Sequence, residues 1–237
     1  MPVRDAFLDL LLGARCAGCD QPGRVLCPGC RADLPRSGYP VRPDPAPLGL
    51  PAVLTAGEYA DPLRRLVLAH KERQAFGLTA PLGRTLATVL VGAADVVGAG
   101  PGTPVVLVPV PSSPATTRRR GHDPVLRIVR AAARALCGDG VPATVARLLR
   151  MAQPVADQAG LDAAARAANL EGRMAVRSGA HRTLARRPGR TLVLLCDDVV
   201  TTGATLAEAQ RALRAVGLPA AAAATLAATR KRSAKVL

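Results

Sequence analysis

Aromatic residues are nearly absent from this 237-residue chain: it has no Trp, and Tyr39, Tyr59, Phe7 and Phe76 are the whole set. A protein that strings single-stranded bases along aromatic faces has little here to build with. Lysine is almost as scarce, with only Lys71, Lys231 and Lys235 among 32 basic side chains, so the positive charge is carried by arginine. Long apolar runs are missing too. The longest candidate, 215–229, is mostly alanine and is interrupted by Pro219, short of the roughly 18 unbroken apolar residues that a span needs. No membrane insertion is expected. Arg4, Asp5 and Asp9 break the window that a secretory signal peptide keeps apolar, so a cytoplasmic chain is expected.

What remains is ample for a globular protein. Apolar residues make up 49% and charged residues 21%, which excludes global disorder and bounds the chain to one main α/β domain, alone or with a small module. The 32 basic against 17 acidic residues give a formal net charge of +15, which favours phosphate-bearing partners. Part of that excess belongs to a composition rich in Ala, Arg, Gly and Pro, as a GC-rich coding sequence gives.

Four of the six cysteines lie in the first 30 residues, as Cys16-x2-Cys19-x7-Cys27-x2-Cys30. Each C-x-x-C knuckle presents two thiolates at one point, so four sulfurs can close a tetrahedron around Zn²⁺. A module this small has almost no core, and the metal would supply its folding free energy. Two disulfides are the alternative in an oxidising compartment, and a redox dithiol needs one such knuckle, not two. Four protein ligands leave no open position, which makes the expected zinc structural.

Residues 1–34 are therefore expected to form a zinc-ribbon module. The stretch 35–51, with Pro35, Pro40, Pro43, Pro45, Pro47 and Pro51, reads as an extended linker, and 52–237 as the main domain. Within it 52–59 reads as a strand, and Leu63, Leu66 and Val67 at helical spacing as the start of a helix, with 78–90 as another. The apolar run 104–113 has the look of a strand buried on both faces. Val125, Ile128, Val129, Ala132 and Leu136 mark a helix whose outer face carries Arg127, Arg130 and Arg134. The segment 144–176 is weakly periodic and reads as a loop or hood with a short helix at 162–168. A strand at 190–196, a helix stopped by Gly217 and a last strand at 219–226 complete the pattern. Strands alternating with helices predict a parallel, Rossmann-like sheet. Cys137 and Cys196 are expected as buried apolar thiols, and His70 and His181 as surface or packing residues.

The chemistry concentrates in LVLLCDDVVTTGATL: apolar strand, acidic pair, then a Thr/Gly-rich turn into a helix. At the carboxyl end of a parallel strand a ligand finds a crevice, and the next helix offers unpaired N–H groups to an anion. Gly203 lets the backbone approach closely, while Thr201, Thr202 and Thr205 add hydroxyls. Asp197 and Asp198 would repel a phosphate placed against them, but they suit neutral hydroxyls or a bridging Mg²⁺. Neighbouring residues of a regular strand face opposite sides, so both acids reach one ligand only if the chain turns there. A pentose 5-phosphate matches both halves. DD or TTG alone is common in strand ends and helix caps; their ordered combination carries the reading. No Walker loop and no G-x-G-x-x-G after a strand is present.

The segment resembles the 5-phosphoribosyl-1-pyrophosphate (PRPP) motif of type I phosphoribosyltransferases, and the arrangement around it resembles the ComF family in particular. The likeness includes the four-cysteine module, Tyr59 with Leu63 and Lys71, VPVPSS before Arg120-Gly121-His122-Asp123, and Gln158-x2-Leu161-x4-Arg166-x2-Asn169. It implies a five-stranded parallel core and a hood over about 147–173. It also implies PRPP held by Asp197, Asp198, Val199, Val200, Thr201, Thr202, Gly203, Ala204 and Thr205. Arg120, Gly121 and Lys71 would face the pyrophosphate, and Gln158, Arg166 and Asn169 would belong to the hood. His122 stands where such proteins usually carry an aromatic residue and Pro124 where Gln is common, differences that bear on the packing beside the site.

Two functions follow as expectations. One is an enzyme that transfers ribose 5-phosphate from PRPP, with Mg²⁺, to an unidentified acceptor and releases pyrophosphate. The other is a non-catalytic adaptor for DNA uptake that binds single-stranded DNA and DNA-uptake proteins, which the family name and the +15 charge favour and the scarcity of aromatics disfavours. A receiver-like domain using its acids for Mg²⁺ alone does not explain the phosphate-type turn.

Overall fold

The computed structural model describes residues 14–100, 102–152, 172–179 and 191–229. The chain begins there with the cysteine knuckles and a one-turn helix, α1 (Pro28–Ala32). The proline-rich stretch then contributes a short strand, β1 (Tyr39–Val41), which pairs antiparallel with β2 (Ala52–Glu58). A stretch that reads as a linker is thus partly an edge strand; proline tolerates that position because an edge leaves one side of the ladder unpaired.

After β2 come α2 (Leu63–Glu72), a 3₁₀ turn at Phe76–Leu78 and α3 (Thr79–Val96). β3 (Val105–Pro109) leads through α4 (Pro114–Arg120) and α5 (Pro124–Gly138) to β4 (Ala143–Val145). Asp123 caps α5 by accepting from the N–H of Leu126, with Pro124 in the first turn, as an N-terminus favours. Its Val125, Ile128, Val129, Ala132 and Leu136 are buried, and Arg127, Arg130 and Arg134 face outwards. β5 (Leu149–Met151) and β6 (Met174–Val176) form a separate antiparallel ribbon. Then follow β7 (Leu192–Val200), α6 (Ala204–Arg214) and β8 (Ala222–Ala228). Beyond α6 the N–H groups of Gly217 and Leu218 turn back onto the carbonyls of Arg214 and Leu213, and Gly217 supplies the positive φ of 73° that this stop requires.

The main sheet has the order β1-β2-β8-β7-β3-β4, parallel throughout except for β1. Five parallel strands thus form its body. One face packs on α2, α3 and α5 through Leu66, Leu82, Leu86, Leu107, Leu136 and Leu194. The other packs on α6 and the β5–β6 ribbon through Val106, Val108, Leu149, Leu195, Leu206 and Leu213. β8, AAATLAA, is buried along its whole length. Alanine has little preference for strands, so it is pairing with β2 and β7 on both edges that holds it. Small residues also bring helices close: a Cβ on Gly83 of α3 would stand 2.4 Å from the Cβ of Ala131 in α5.

The longest apolar helical segment is 76–96, not 215–229. Among the described residues it is the one helix long and apolar enough to cross a membrane, and more than half of it is buried inside the fold.

The topology fixes where a ligand can enter. From β3 the chain crosses to β4 on one flank, and from β7 it crosses to β8 on the other, although β3 and β7 are neighbours. The connections diverge at that pair of strands. In an open parallel sheet such a divergence leaves a crevice outside the carboxyl ends.

Candidate functional site

β7 runs past the expected strand end at 196 and carries the acidic pair inside it. Up to Cys196 it alternates as a strand should: Leu192, Leu194 and Cys196 pack on the α2–α3–α5 side, and Val193 and Leu195 on the α6 side. After the acids, Val199 packs with Cys196's group and Val200 with Leu195's. A period of two would give the opposite assignment. The alternation therefore slips by one between Cys196 and Val199, in the stretch that holds the acids. The backbone N–H of Asp198 donates to Asp197 Oδ1 at 2.8 Å. β8 slips at the same level, with Leu226 and Ala227 both in the α2–α3–α5 cluster.

Lys71, at the end of α2, reaches this point and donates to Asp198 Oδ2 at 2.6 Å. The Asp198 side chain is 7% exposed and that of Lys71 29%. Burial opposes the charge on Lys71, but Asp198 and, more weakly, Asp197 outweigh it and leave the ammonium held more firmly than usual. Burial also pushes Asp197 up to about 8, with the adjacent Asp198 carboxylate adding to the rise and Lys71 opposing it.

The next residue, Glu72, takes the guanidinium of Arg120 in a two-point ion pair, with Arg120 Nε donating to Oε2 at 2.9 Å. Gln74 Nε2 donates to the Arg120 carbonyl at 3.1 Å. Gly121 closes α4 in the left-handed region at φ 72°. The expected pyrophosphate-side residues Lys71, Arg120 and Gly121 are thus tied to one another through the end of α2. Glu72 and Gln74, which make those ties, were not singled out in the sequence; Glu72 beside Lys71 was the available signal.

On the other side of the acids, Thr201, Thr202 and Gly203 form the turn into α6. Gly203 is the N-cap at φ 77°, no side chain caps the helix there, and Thr202 Oγ1 lies 3.4 Å from the N–H of Ala204. Leu50 and Pro43 cover Gly203 so closely that a Cβ would sit 3.1–3.3 Å from their side-chain carbons. The proline-rich stretch is the back wall of this turn. Thr205 follows in the first turn of α6, half-buried.

Beside Lys71 and Arg120 lies a ring cluster in which His70 and His122 are buried and Phe76 is exposed. The His122 and Phe76 rings meet edge to face with centroids 5.1 Å apart, His70 and His122 at 6.2 Å, and the Arg127 guanidinium covers Phe76 at 4.1 Å. His122, in the place of an aromatic residue, packs as one. His70 donates to or accepts from Thr79 Oγ1 at 3.1 Å; burial, with His122 and Arg127 nearby, lowers it to about 4 and keeps it neutral. His70 is therefore a core residue. Cys196 is buried as expected, its thiol pushed up by burial and by Asp197. Cys137 is exposed, which corrects the expectation of a buried thiol: it lies near the end of α5, where the amphipathic face gives out. Gln158, Arg166, Asn169 and His181 lie outside the described residues.

The cysteine knuckles form a second site. The sulfurs of Cys16, Cys19, Cys27 and Cys30 all lie within 4.8 Å of one another, with Cys19 and Cys27 at 3.6 Å. None is in a disulfide. Four sulfurs about 2.3 Å from a central ion span similar edges, so the cluster can hold a metal and is consistent with a structural zinc. Backbone N–H groups of Cys27 and Cys30 point at Cys16 and Cys27 sulfurs at 3.4 Å, as thiolates accept. A Cβ on Gly18 would stand 2.7 Å from the Cys30 sulfur, which explains glycine in the first knuckle. Cys16, Cys27 and Cys30 also belong to the cluster under α2 and α3.

Comparison with known proteins gives no family model that matches the chain and no match among curated proteins.

Two outcomes test this geometry. An acid whose folded-state pKa exceeds its unfolded value costs stability as pH rises from that unfolded value, near 4, to about 8. Urea denaturation across that window should show wild type losing stability relative to Asp197→Asn; parallel curves would mean the carboxyl is not held protonated. Elemental analysis should find about one bound metal per chain, lost in Cys27→Ser and kept in Cys137→Ser, and equal metal in both variants would exclude the four-sulfur site.

Proposed function

We propose that the crevice at the end of β7 binds PRPP and that the chain is a phosphoribosyltransferase-like protein of the ComF type, with zinc as the metal of its cysteine module. The observation that supports this best is the place of the acidic pair: two adjacent acids at the end of β7, directly before the turn whose N-cap is Gly203. A diol and a phosphate five bonds apart on one small sugar are the groups such a layout accommodates: hydroxyls on the carboxyls, phosphate on the N–H groups of 201–205.

In the reaction the bond from the ribose C1 to pyrophosphate breaks, the pyrophosphate leaves with the electron pair, and the acceptor nucleophile forms the new bond to C1 and gives up its proton. Asp197 and Asp198 orient the ribose through its hydroxyls. On this reading Lys71 and Arg120 face the pyrophosphate, and their stabilisation of the charge that grows there is stronger in the transition state than in the bound substrate. Among the described residues no side chain is placed as a dedicated general base, so positioning and leaving-group stabilisation carry the rate.

Mg²⁺ fits this site through its substrate. The Asp198 carboxylate is already paired with Lys71 and that of Asp197 accepts an N–H, which leaves the pyrophosphate and ribose oxygens to hold the ion. When bound, the ion supplies charge neutralisation on the departing pyrophosphate. The +15 net charge favours a second reading, an adaptor that binds single-stranded DNA; it needs no turnover and does not use the acids.

Calorimetry of PRPP with Mg²⁺ separates the readings. Replacing both acids, Asp197→Asn with Asp198→Asn, removes both carboxyl groups offered to the ribose hydroxyls and should weaken binding by roughly a hundredfold or more. Undiminished PRPP affinity in a folded double variant would refute the assignment.

A further inference from the structure

Beside the crevice, on the β3 side, lies a cavity of about 470 Å³ with four arginines around it: Arg118 of α4, Arg147 before β5, Arg150 on β5 and Arg177 just after β6. Its floor includes Pro109, which pairs with Cys196, the residue before Asp197. Neighbouring strands lie about 4.8 Å apart, so the cavity adjoins the acidic pair.

All four arginines are exposed, so solvent eases their mutual repulsion, and an anion seated among them would be attracted by all four. Among the described residues none of the four has an ion-pair partner, and only Arg177 spends a donor, its Nε bonding the Leu149 carbonyl at 3.3 Å. Among the described residues that line it, the one acid, Asp123, is occupied in capping α5. The wall is also held in place. Buried Glu208 of α6 accepts the N–H of Met174 in β6 at 2.8 Å, and Arg211 bonds both Glu208 and the Met174 carbonyl. The guanidiniums of the ribbon are therefore carried by a strand pair pinned to the core rather than by free loops.

From this we infer that the cavity binds a small organic dianion, an apolar body bearing two or more oxyanion groups, and that this is the acceptor class for the transfer. Guanidinium forks match carboxylate and phosphate oxygens pairwise. Pro111, Leu149 and Met151 supply an apolar lining between them. A volume of this size suits a metabolite, and no aromatic side chain lines it for stacking a nucleic-acid strand. The acceptor role rests on the transferase reading; the anion site itself does not.

The test is calorimetry of the full-length protein at physiological salt with isophthalate as probe and isophthalamide as its uncharged counterpart. Wild type should bind isophthalate and not the amide. The double variant Arg147→Gln with Arg150→Gln should weaken isophthalate binding roughly tenfold or more and leave PRPP affinity unchanged. Absence of isophthalate binding, equal binding of the amide, or no effect of the substitutions would overturn the site. Displacement of isophthalate by a single-stranded oligonucleotide, with a steep salt dependence, would overturn it in favour of a phosphate-backbone surface. Wild type that binds isophthalate but not PRPP would support the anion cavity while rejecting the transferase reading and the acceptor role with it.

Discussion

The Lys71–Asp198 ion pair ties the site together. It joins the end of α2 to β7 across 127 residues of chain, with the acid nearly closed off from water. Removing one partner of a fully buried pair leaves a charge without compensation and costs about 3–5 kcal/mol; the partial exposure of Lys71 lowers that figure here. The pair also does chemical work. Asp197, one residue away, is pushed up by its burial, with the neighbouring carboxylate adding to the rise and Lys71 opposing it. Through Glu72 the same helix end fixes Arg120, so both cations proposed for the leaving group depend on where α2 stops.

The supports of that corner come from distant parts of the chain. The ring cluster of His70, Phe76 and His122 packs beside it, with His70 kept neutral by burial. The cysteine module packs against the same cluster as α2 and α3, through Cys16, Leu26, Cys27 and Cys30. A metal there would stiffen the ground on which α2 stands, since binding free energy in so small a module is folding free energy. The proline-rich stretch closes the turn at Gly203 from behind. On the far side the β5–β6 ribbon, pinned by Glu208, brings arginines to the edge of the crevice.

Much of this was legible in the sequence because it follows local rules. The buried strands announced themselves as apolar runs, α5 by its spacing and cap, the end of α6 by Gly217, and the sulfur cluster by two knuckles at short spacing. The strand that carries the acids was placed, but its length was not: charged residues end an apolar run on paper, whereas Lys71 lets β7 continue through them. The slip between Cys196 and Val199 has no local signal, since it depends on β8 slipping at the same level. β1, β5 and β6 read as linker and hood in the sequence because three-residue strands have no period to detect; long-range pairing and the Glu208 tether make them. Cys137 is exposed because an apolar stretch predicts burial only while the helix face persists. Gln158, Arg166 and Asn169 lie outside the described residues.

The central claim is that two adjacent acids and the turn after them receive a single sugar phosphate. A crystal structure of the full chain grown with PRPP and Mg²⁺ tests it directly. The account predicts density with the ribose hydroxyls on Asp197 and Asp198 and the 5-phosphate against the N–H groups of 201–205. A well-ordered site with those groups bare, or PRPP bound with its ribose away from both acids, would contradict it.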